Sequence, residues 1–430
     1  MYSSFAMALV ATSVIAAPGG QHGGFGLGKR YEDPKFGDYM GKFGKGPKTV
    51  GEYEERQNLY HKTDNLVNEK NRAAAASRDP DALRLKHTFF SDLTAEEKAS
   101  WTGLKTDQAE ARATTLGKSK KKSRKNNRKG RGLADENMQV NHFADGFMHP
   151  IKNQGSCGSC WAFAATTALE GTIAKAKNAD PVRLSEQQGV DCTLRNTTHA
   201  QFSKDYGCWG CEGCWMSNHW DLMKEQGVMT SAAYPYESGR TGKEYACKHD
   251  YDNLYGYVTE YQQMYGTVDS ILDKLETHPL SIAVMVDDIW YQYDSGVVKV
   301  SDCGQSLNHA VVVVGYYKSG DDNDNDDGDD NDDGDNNDGD DDDSSPPAPT
   351  NCKVTKWWHT CEAVESRRQL QTSDNRDYFL VQNSWATNWG DNGFIRLEME
   401  DGGNGTCGMY RVMEWVEACE IGDAGCSAGR

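Results

Sequence analysis

One cysteine stands where its thiol could act as a nucleophile. Residues 153–163 read NQGSCGSCWAF, and from Cys160 onward apolar residues recur at three- and four-residue steps, which predicts a helix beginning there. Unpaired backbone N–H groups and the positive end of the helix dipole favour a thiolate in the first helical turn, and the thiolate is the nucleophilic form. The alternative is a disulfide cysteine in an ordinary buried helix, which suits Cys157 better than Cys160.

A base for this thiol lies further along the chain. His309 opens the run HAVVVVG, which predicts a strand from His309 to Tyr317, and a second strand is predicted from Tyr378 to Gln382. An imidazole can accept the thiol proton and later protonate a leaving amine. The elements that must position this chemistry are therefore one helix and the strand that begins at His309.

The string CGSCW around Cys160 resembles the active-site segment of papain-like cysteine proteases. Further matches are LSEQ at 184–187, VDC at 190–192, YPY at 234–236 and QNSW at 382–385. The resemblance implies an α+β fold of the papain-like two-domain type. A helical left domain would carry Cys160, a β-rich right domain would carry His309, and a helical propeptide would precede both.

The same resemblance implies roles for four catalytic residues. Cys160 is the expected nucleophile and His309 the expected base. Asn383 would accept a hydrogen bond from the imidazole and fix its tautomer, shielded from water by Trp385. The side-chain amide of Gln154 and the backbone N–H of Cys160 would stabilise the developing oxyanion.

The resemblance also outlines a substrate cleft. Its residues would be Gly213, Cys214, Trp215, Met216, Ala283, Leu307, Asn308, Val412 and Trp385. Five of these residues, Trp215, Met216, Ala283, Leu307 and Val412, are the second-subsite positions. They are apolar and include no carboxylate, so we expect a preference for bulky apolar side chains and poor use of arginine. Cys214 stands where the family has glycine, so its side chain could narrow the cleft or be drawn aside by a disulfide. No loop with paired histidines is inserted between Cys247 and Pro279, which favours an endopeptidase over a carboxydipeptidase.

Cysteine usage and the N-terminus indicate the secretory pathway. The chain has 13 cysteines, an odd and high number that is typical of disulfides with one thiol left over. Residues 5–17 are apolar and fit a signal peptide cleaved after Ala16, and no later stretch is long and apolar enough to span a membrane. We therefore expect a lysosomal, vacuolar or secreted glycoprotein, with sequons at Asn196 and Asn404.

Disulfide pairs are implied by the resemblance for six cysteines. These pairs are Cys157–Cys211, Cys192–Cys247 and Cys303–Cys407. For the remaining cysteines we expect sequence neighbours to pair, as Cys208–Cys214, Cys352–Cys361 and Cys419–Cys426, although sequence alone does not fix connectivity. A zinc site in the run from Cys208 to Cys214 is the alternative, because Cys-x2-Cys is a zinc-ligand spacing, but an oxidising compartment disfavours it.

Residues 17–133 are expected to form a propeptide behind a signal peptide at 1–16. Within residues 49–77, the helical spacing resembles that of the family's inhibitory propeptide, at positions Glu52, Arg56, Tyr60, Val67 and Asn71. Residues 90–97 resemble the second propeptide motif, which places an inhibitory domain at about 35–100. A generic amphipathic helix is the alternative, because Glu–Arg steps of four stabilise any exposed helix.

Two flanking stretches of this propeptide have unusual compositions. Residues 17 to about 45 are rich in glycine and lack periodicity, so we expect poor order there. Residues 118–131 contain nine Lys or Arg and are expected to be an exposed cleavage segment, with the peptidase domain at 134–430 starting between Arg131 and Met138. Nucleic-acid binding by this basic linker is a weaker alternative, because it lacks interleaved aromatic residues.

An acidic insert interrupts the peptidase domain at residues 319–375. Fifteen aspartates within 321–343 account for most of the net charge of −19, and such a composition cannot bury enough surface to fold alone. Because the insert joins the strands that carry His309 and Asn383, we expect it near them. A solvated linker is favoured over weak calcium binding, because no Glu closes an EF-hand loop.

These observations predict a monomeric cysteine endopeptidase made as a zymogen. Peptides and proteins would be its substrates, its own propeptide would be its inhibitor, and no cofactor or nucleic acid is expected. Two alternatives stay open. One is a catalytically inactive homologue that binds peptide or calcium, and the other is an acyl transferase with the same catalytic residues.

Overall fold

The computed structural model describes residues 33–105, 138–194, 206–319 and 376–427. Its α-helices are α1 (Pro34–Phe43), α2 (Val50–Ser77), α3 (Ala95–Ala99), α4 (Cys160–Lys177), α5 (Glu186–Cys192), α6 (Met216–Gln226), α7 (Ser238–Thr241), α8 (Val268–Leu275) and α9 (Asp288–Tyr291). Its strands are β1 (Arg84–Leu85), β2 (Met138–Asn141), β3 (Val228–Met229), β4 (Leu254–Met264), β5 (Leu280–Val284), β6 (Tyr293–Ser295), β7 (Val297–Val298), β8 (His309–Tyr317), β9 (Tyr378–Gln382), β10 (Phe394–Glu398) and β11 (Met413–Glu420). The signal peptide, the basic linker and the acidic run lie outside the described residues.

Helix α1 corrects the expectation of poor order for residues 17 to about 45 in the part that the structure describes, from Asp33 onward. The Asp33 side chain caps this helix by accepting a hydrogen bond from the Phe36 N–H at 3.2 Å. Phe36 and Tyr39 then pack on Tyr60 of α2, with ring centroids 5.3 and 4.9 Å away. The order of this segment therefore comes from a contact with a later helix, which its glycine-rich composition does not reveal.

Helix α2 confirms the helix predicted for residues 49–77, and its regularly spaced side chains bind the chain that follows. Arg56 donates to the Asp92 carbonyl at 2.9 Å and forms an ion pair with Glu97. Asn71 exchanges two hydrogen bonds with the backbone of Leu85, at 2.8 and 2.9 Å. These contacts fold residues 84–97 back along the helix and so direct the chain towards the peptidase domain.

Strand β8 is the centre of the main sheet. It pairs antiparallel with β5 on one side and β9 on the other, and the sheet order is β3-β4-β11-β5-β8-β9-β10-β7, with β2 also paired to β8. Every β8 residue is buried, which is typical of a strand covered on both faces. Val312 faces the core that contains α4, and Val313 faces the core that contains Trp290. This arrangement confirms the predicted α+β class.

The pairing of β8 with β9 also fixes where the acidic insert joins the domain. Tyr317 pairs with Tyr378, and the Ser319 N–H donates to Asp377 Oδ1 at 2.8 Å. His309 lies at the other end of β8, and Asn383 follows the other end of β9. The insert therefore joins the domain at the end of the strand pair away from these two residues, because an antiparallel pair places its connection at one end only. The expectation that the insert itself lies near them stays a prediction.

Five disulfides are formed among the described residues. They are Cys157–Cys211, Cys192–Cys247, Cys208–Cys214, Cys303–Cys407 and Cys419–Cys426. The Cys208–Cys214 bond leaves no thiolate set for the zinc alternative in that run. Cys352 and Cys361 lie outside the described residues.

A buried ion cluster holds the chain that leads into α4. Lys152 Nζ lies 2.8 Å from Glu170 Oε1 and 2.6 Å from Glu186 Oε1, and none of the three side chains is more than 2% exposed. Glu170 Oε1 also accepts the Leu184 N–H at 2.6 Å. Burial, opposed by Lys152, raises the pKa of Glu170 to about 7. One cation therefore faces two carboxylates in a fully buried site, which favours protonation of one of them.

We expect the Glu170→Gln variant to change how stability depends on pH. A carboxyl whose folded pKa is raised contributes stability below its unfolded pKa of about 4.3, and this contribution is lost as the pH rises towards 7. Relative to Glu170→Gln, the wild type should lose up to about 3 kcal/mol across this window, measured by chemical unfolding of the full chain. The exposed Glu54→Gln variant should keep the wild-type profile, whereas parallel curves for wild type and Glu170→Gln would contradict the expectation.

Candidate active site

Cys160 is the first residue of α4, and its sulfur faces inward. The preceding turn is fixed by the Cys157–Cys211 disulfide and by the Gly158 N–H, which donates to the Cys211 carbonyl at 2.8 Å. Cys160 is fully buried and is the free cysteine of the described residues. Cys160 shares one buried cluster with Ala310 of β8 and with Leu104. The nucleophile candidate therefore lies directly beside the start of β8.

His309 and Asn383 meet at the edge of the sheet where β8 begins and β9 ends. His309 Nε2 lies 2.9 Å from Asn383 Oδ1, and this oxygen also accepts the Ser384 N–H at 2.8 Å. The indole of Trp385 covers the imidazole, with ring centroids 4.9 Å apart. Because the amide oxygen can only accept, it holds the proton of His309 on Nε2 and leaves Nδ1 free to accept one.

The side-chain amide of Gln154 is fixed so that its NH2 group faces the cleft. Ser384 Oγ donates to Gln154 Oε1 at 2.6 Å, and the Gln154 N–H donates to the Ser384 carbonyl at 2.9 Å. Gln154 Nε2 in turn donates to the carbonyls of Cys157 and Trp101, at 2.9 and 3.1 Å. A peptide carbonyl therefore already occupies the donor that the sequence assigns to an oxyanion.

This carbonyl belongs to residues 101–105, the covering segment, which lies across Cys160. The Cys214 N–H donates to the Gly103 carbonyl at 2.9 Å, and the Lys105 N–H donates to the Cys214 carbonyl at 3.1 Å, as in a parallel strand pair. On the opposite wall the Leu104 N–H donates to the Asn308 carbonyl at 3.2 Å. The segment therefore binds both walls of the cleft through its backbone.

Glycines make this close approach possible. A Cβ atom added to Gly103 would overlap the carbonyl oxygen of Gly158, and one added to Gly213 would overlap the carbonyl oxygen of Gly103. Gly213 also has a φ of +114°, which side chains rarely adopt. The backbone of the covering segment therefore touches the backbone of both loops that flank Cys160.

Burial shifts the pKa values of the two catalytic candidates, Cys160 and His309. Burial raises the pKa of the Cys160 thiol to about 11, and burial lowers the pKa of His309 to about 4 against the smaller effect of its bond to Asn383. Both directions favour the neutral pair, although the helix terminus alone favours a thiolate. Burial therefore opposes the thiolate that the helix position favours.

Cys214 does not obstruct the cleft. Its side chain is fully buried in the disulfide with Cys208, while its backbone N–H and carbonyl bind the covering segment. Of the two outcomes left open by the sequence, the side chain is drawn aside. Gly213 and Cys214 thus form one wall, as the resemblance implies.

The predicted second-subsite residues lie in the same hydrophobic cluster as Leu104 of the covering segment. This leucine belongs to one buried hydrophobic cluster with Trp215, Met216, Ala283, Leu307 and Val412. These positions include no carboxylate, but a neighbouring one contacts Trp215, whose indole N–H donates to Glu414 Oε1 at 2.8 Å. The sequence signal for this carboxylate is the alternation of an extended chain, because Glu414 lies two residues after Val412 and therefore on the same face. For the covering segment, the only signal in the sequence is the glycine between Trp101 and Leu104.

Comparison with known proteins identifies the family. The papain family of cysteine proteases matches residues 136–327 and 348–415, and the chain belongs to this family. Chymopapain of Carica papaya is 30% identical over 272 residues, covering 62% of this chain and 57% of that protein. Digestive cysteine proteinase 3 of Homarus americanus is 30% identical over 264 residues, covering 60% of each. The matched region thus spans about three fifths of the length of these relatives.

Solved structures share the fold, including its N-terminal segment. Digestive procathepsin L 3 of Tenebrio molitor superposes with a TM-score of 0.62 at 22% identity, covering 90% of this chain and 99% of that one. The recombinant stem bromelain precursor gives a TM-score of 0.60 at 22% identity, covering 89% and 97%. The papain-like fold with a helical N-terminal segment, predicted from the sequence, is confirmed.

Among the described residues, no three His, Cys, Asp or Glu side chains are grouped so that they could hold a metal ion. No described helix has both the length and the apolar character needed to cross a bilayer. The acidic run, for which weak calcium binding was the less favoured alternative to a solvated linker, is not among these residues.

We expect Gly103→Ala to uncover Cys160 in the intact chain. The new methyl group overlaps the Gly158 carbonyl, so the covering segment must move, and overpacking of this kind costs about 1–3 kcal/mol. Alkylation of Cys160 by iodoacetamide, followed by mass spectrometry of the peptide that contains it, should become at least about tenfold faster. Gly46→Ala is the matched control, because a Cβ there meets nothing within 4 Å. Equal rates for both variants would show that Gly103 does not set the fit.

Proposed function

We propose that this chain is a cysteine endopeptidase made as a zymogen. The observation that supports it best is the hydrogen bond of His309 to Asn383, next to Ala310, which shares a buried cluster with the free thiol of Cys160 and with Leu104 of the covering segment. In this proposal residues 1–16 are a signal peptide, 17–133 a propeptide and 134–430 the peptidase domain, with the basic linker as the activation cleavage segment. Its compartment is the secretory pathway, ending in a lysosome, a vacuole or outside the cell.

The chemistry follows from the geometry once the covering segment leaves. His309 accepts the thiol proton of Cys160 at Nδ1, because Asn383 holds its Nε2 proton. The thiolate attacks the scissile carbonyl carbon, and the oxyanion binds Gln154 Nε2 and the Cys160 N–H. His309 then protonates the leaving amine, which gives a thioester, and water activated by His309 hydrolyses it to the acid and the free thiol.

The covering segment lies in the cleft in a way that resists this attack. Its carbonyl on Gln154 Nε2 belongs to Trp101, whereas Gly103, two residues further on, packs against the backbone of Gly158 in the turn before Cys160. The oxyanion donor and the turn before the nucleophile thus meet different peptide units of the segment. This mismatch supports an inhibitory role for the chain's own N-terminal segment.

The alternative of an inactive homologue rested on Cys214, and nothing in the site now favours it. The disulfide with Cys208 removes the side chain from the cleft, and the backbone of Cys214 still pairs with a bound chain. The acyl transferase alternative has no supporting observation beyond the shared catalytic residues. A role for calcium and the monomeric state remain predictions from the sequence.

Hydrolysis of a fluorogenic dipeptide is the direct test of the proposed function. Acid-treated protein under mild reductant should cleave it, and Cys160→Ala should lower kcat by at least about a thousandfold. His309→Ala should have a similar effect, because residues acting as one unit are not additive. Equal rates for wild type and Cys160→Ala would refute the proposal, provided that mass spectrometry shows residues 101–105 to have been removed.

The preferred substrate follows from the apolar cluster that contains Leu104 and the predicted second-subsite residues. Dipeptides with Leu or Phe in the second position should be cleaved with a kcat/KM at least about tenfold above the Arg analogue, because Arg would lose its hydration against apolar walls. The indole of Trp215 already occupies one oxygen of Glu414. A comparison of kcat/KM for matched Leu, Phe and Arg substrates checks this, and a preference for Arg would mean that Glu414 reaches the pocket.

A further inference from the structure

The hydroxyl of Tyr236 joins two loops that form the candidate site. It lies 2.7 Å from Ser159 Oγ and 2.8 Å from the carbonyl oxygen of Gln154. The ring of Tyr236 packs edge-on against Phe163 in the first turn of α4, with centroids 4.9 Å apart. Ser159 immediately precedes Cys160, so this one side chain contacts both the start of the nucleophile helix and the residue that carries the oxyanion amide.

Counting protons gives these bonds a direction. The Gln154 carbonyl can only accept, so the single proton of the Tyr236 hydroxyl must be donated to it. Ser159 Oγ must therefore donate to Tyr236. Burial raises the pKa of the Tyr236 hydroxyl well above its usual range, so the group remains protonated and available as a donor. The result is an ordered chain from Ser159 through Tyr236 to Gln154.

The loop around Tyr236 restrains Gln154 by a second contact. The Ser156 N–H donates to the Gly239 carbonyl at 3.1 Å, and a Cβ atom on Gly155 would overlap that same carbonyl. On its other side Gln154 is bound by Ser384 through both its backbone and its side chain. Gln154 therefore lies between two supports, and Tyr236 supplies the one on the side of α4.

We propose that Tyr236 is a positioning residue that holds Gln154 and the start of α4 in register, so that both oxyanion donors point at one place. This inference rests on the proposed peptidase function. Tyr236 touches neither nucleophile nor substrate carbonyl in this role. Its contribution appears only when charge develops on the substrate oxygen, because donors must be fixed before that moment to be effective.

Tyr236→Phe tests this role with little change in volume. The ring still packs on Phe163, and Ser159 Oγ can turn to the Cys157 carbonyl at 3.3 Å, but the Gln154 carbonyl loses its donor. We expect kcat to fall about tenfold with KM unchanged, and the affinity for a peptide aldehyde, whose adduct with Cys160 carries the same oxygen, to fall in parallel. Ser159→Ala should have a smaller effect, because the bond from Tyr236 to Gln154 remains.

A double-mutant cycle with Gln154→Ala separates positioning from general loss of structure. If Tyr236 acts through the Gln154 amide, Tyr236→Phe should cost less than about twofold in kcat once that amide is absent. Tyr234→Phe is the matched control, because its hydroxyl donates to Asp191 at 2.7 Å instead, and its kcat should equal that of wild type. An unchanged kcat in Tyr236→Phe, or equal costs in both backgrounds, would overturn the inference. An inactive wild type would instead refute the proposed function.

Discussion

The turn of residues 153–159 is the part of the molecule on which the site depends. It must leave the buried cluster at Lys152, present the Gln154 amide to the cleft and then begin a helix at Cys160. Both of its ends are fixed: the Ala386 N–H donates to the Lys152 carbonyl at 3.0 Å, and a disulfide fixes Cys157. The backbone of this turn is bound from the helical side, from the sheet side and from the covering segment. Its conformation therefore has little freedom to vary.

Burial and charge oppose each other at the nucleophile, and their magnitudes decide the state of the site. The raised pKa of Cys160 corresponds to about 3 kcal/mol in favour of the neutral thiol. The end of a helix typically contributes ~0.3–1 kcal/mol in the other direction. Burial therefore favours a thiol and a neutral imidazole in the covered chain. In the proposed zymogen, water and substrate would replace residues 101–105 before the ion pair forms, so inhibition would act on the charge state as well as on access.

Local patterns predicted the elements that carry the chemistry, because each needs only its own neighbours. The apolar steps after Cys160 and the valine run after His309 are enough to predict α4 and β8. Helix α1 and the bond from Trp215 to Glu414 were not predicted, because they depend on contacts far apart in sequence. Likewise, the sequence motif around Tyr236 matches the family, yet only the fold shows which carbonyl its hydroxyl binds.

The two ends of the acidic insert have a consequence for how this chain tolerates change. Strand β8 spans nine residues, roughly 26 Å at about 3.3 Å per residue, and its last residues lie at the end opposite His309. The strand pair is closed there by Tyr317 with Tyr378 and by Ser319 with Asp377. Lengthening a connection costs only about 0.6 kcal/mol for each doubling. Insertions and deletions should therefore be tolerated at this junction. A tether or reporter inserted there would leave the edge of the sheet at His309 and Asn383 unchanged.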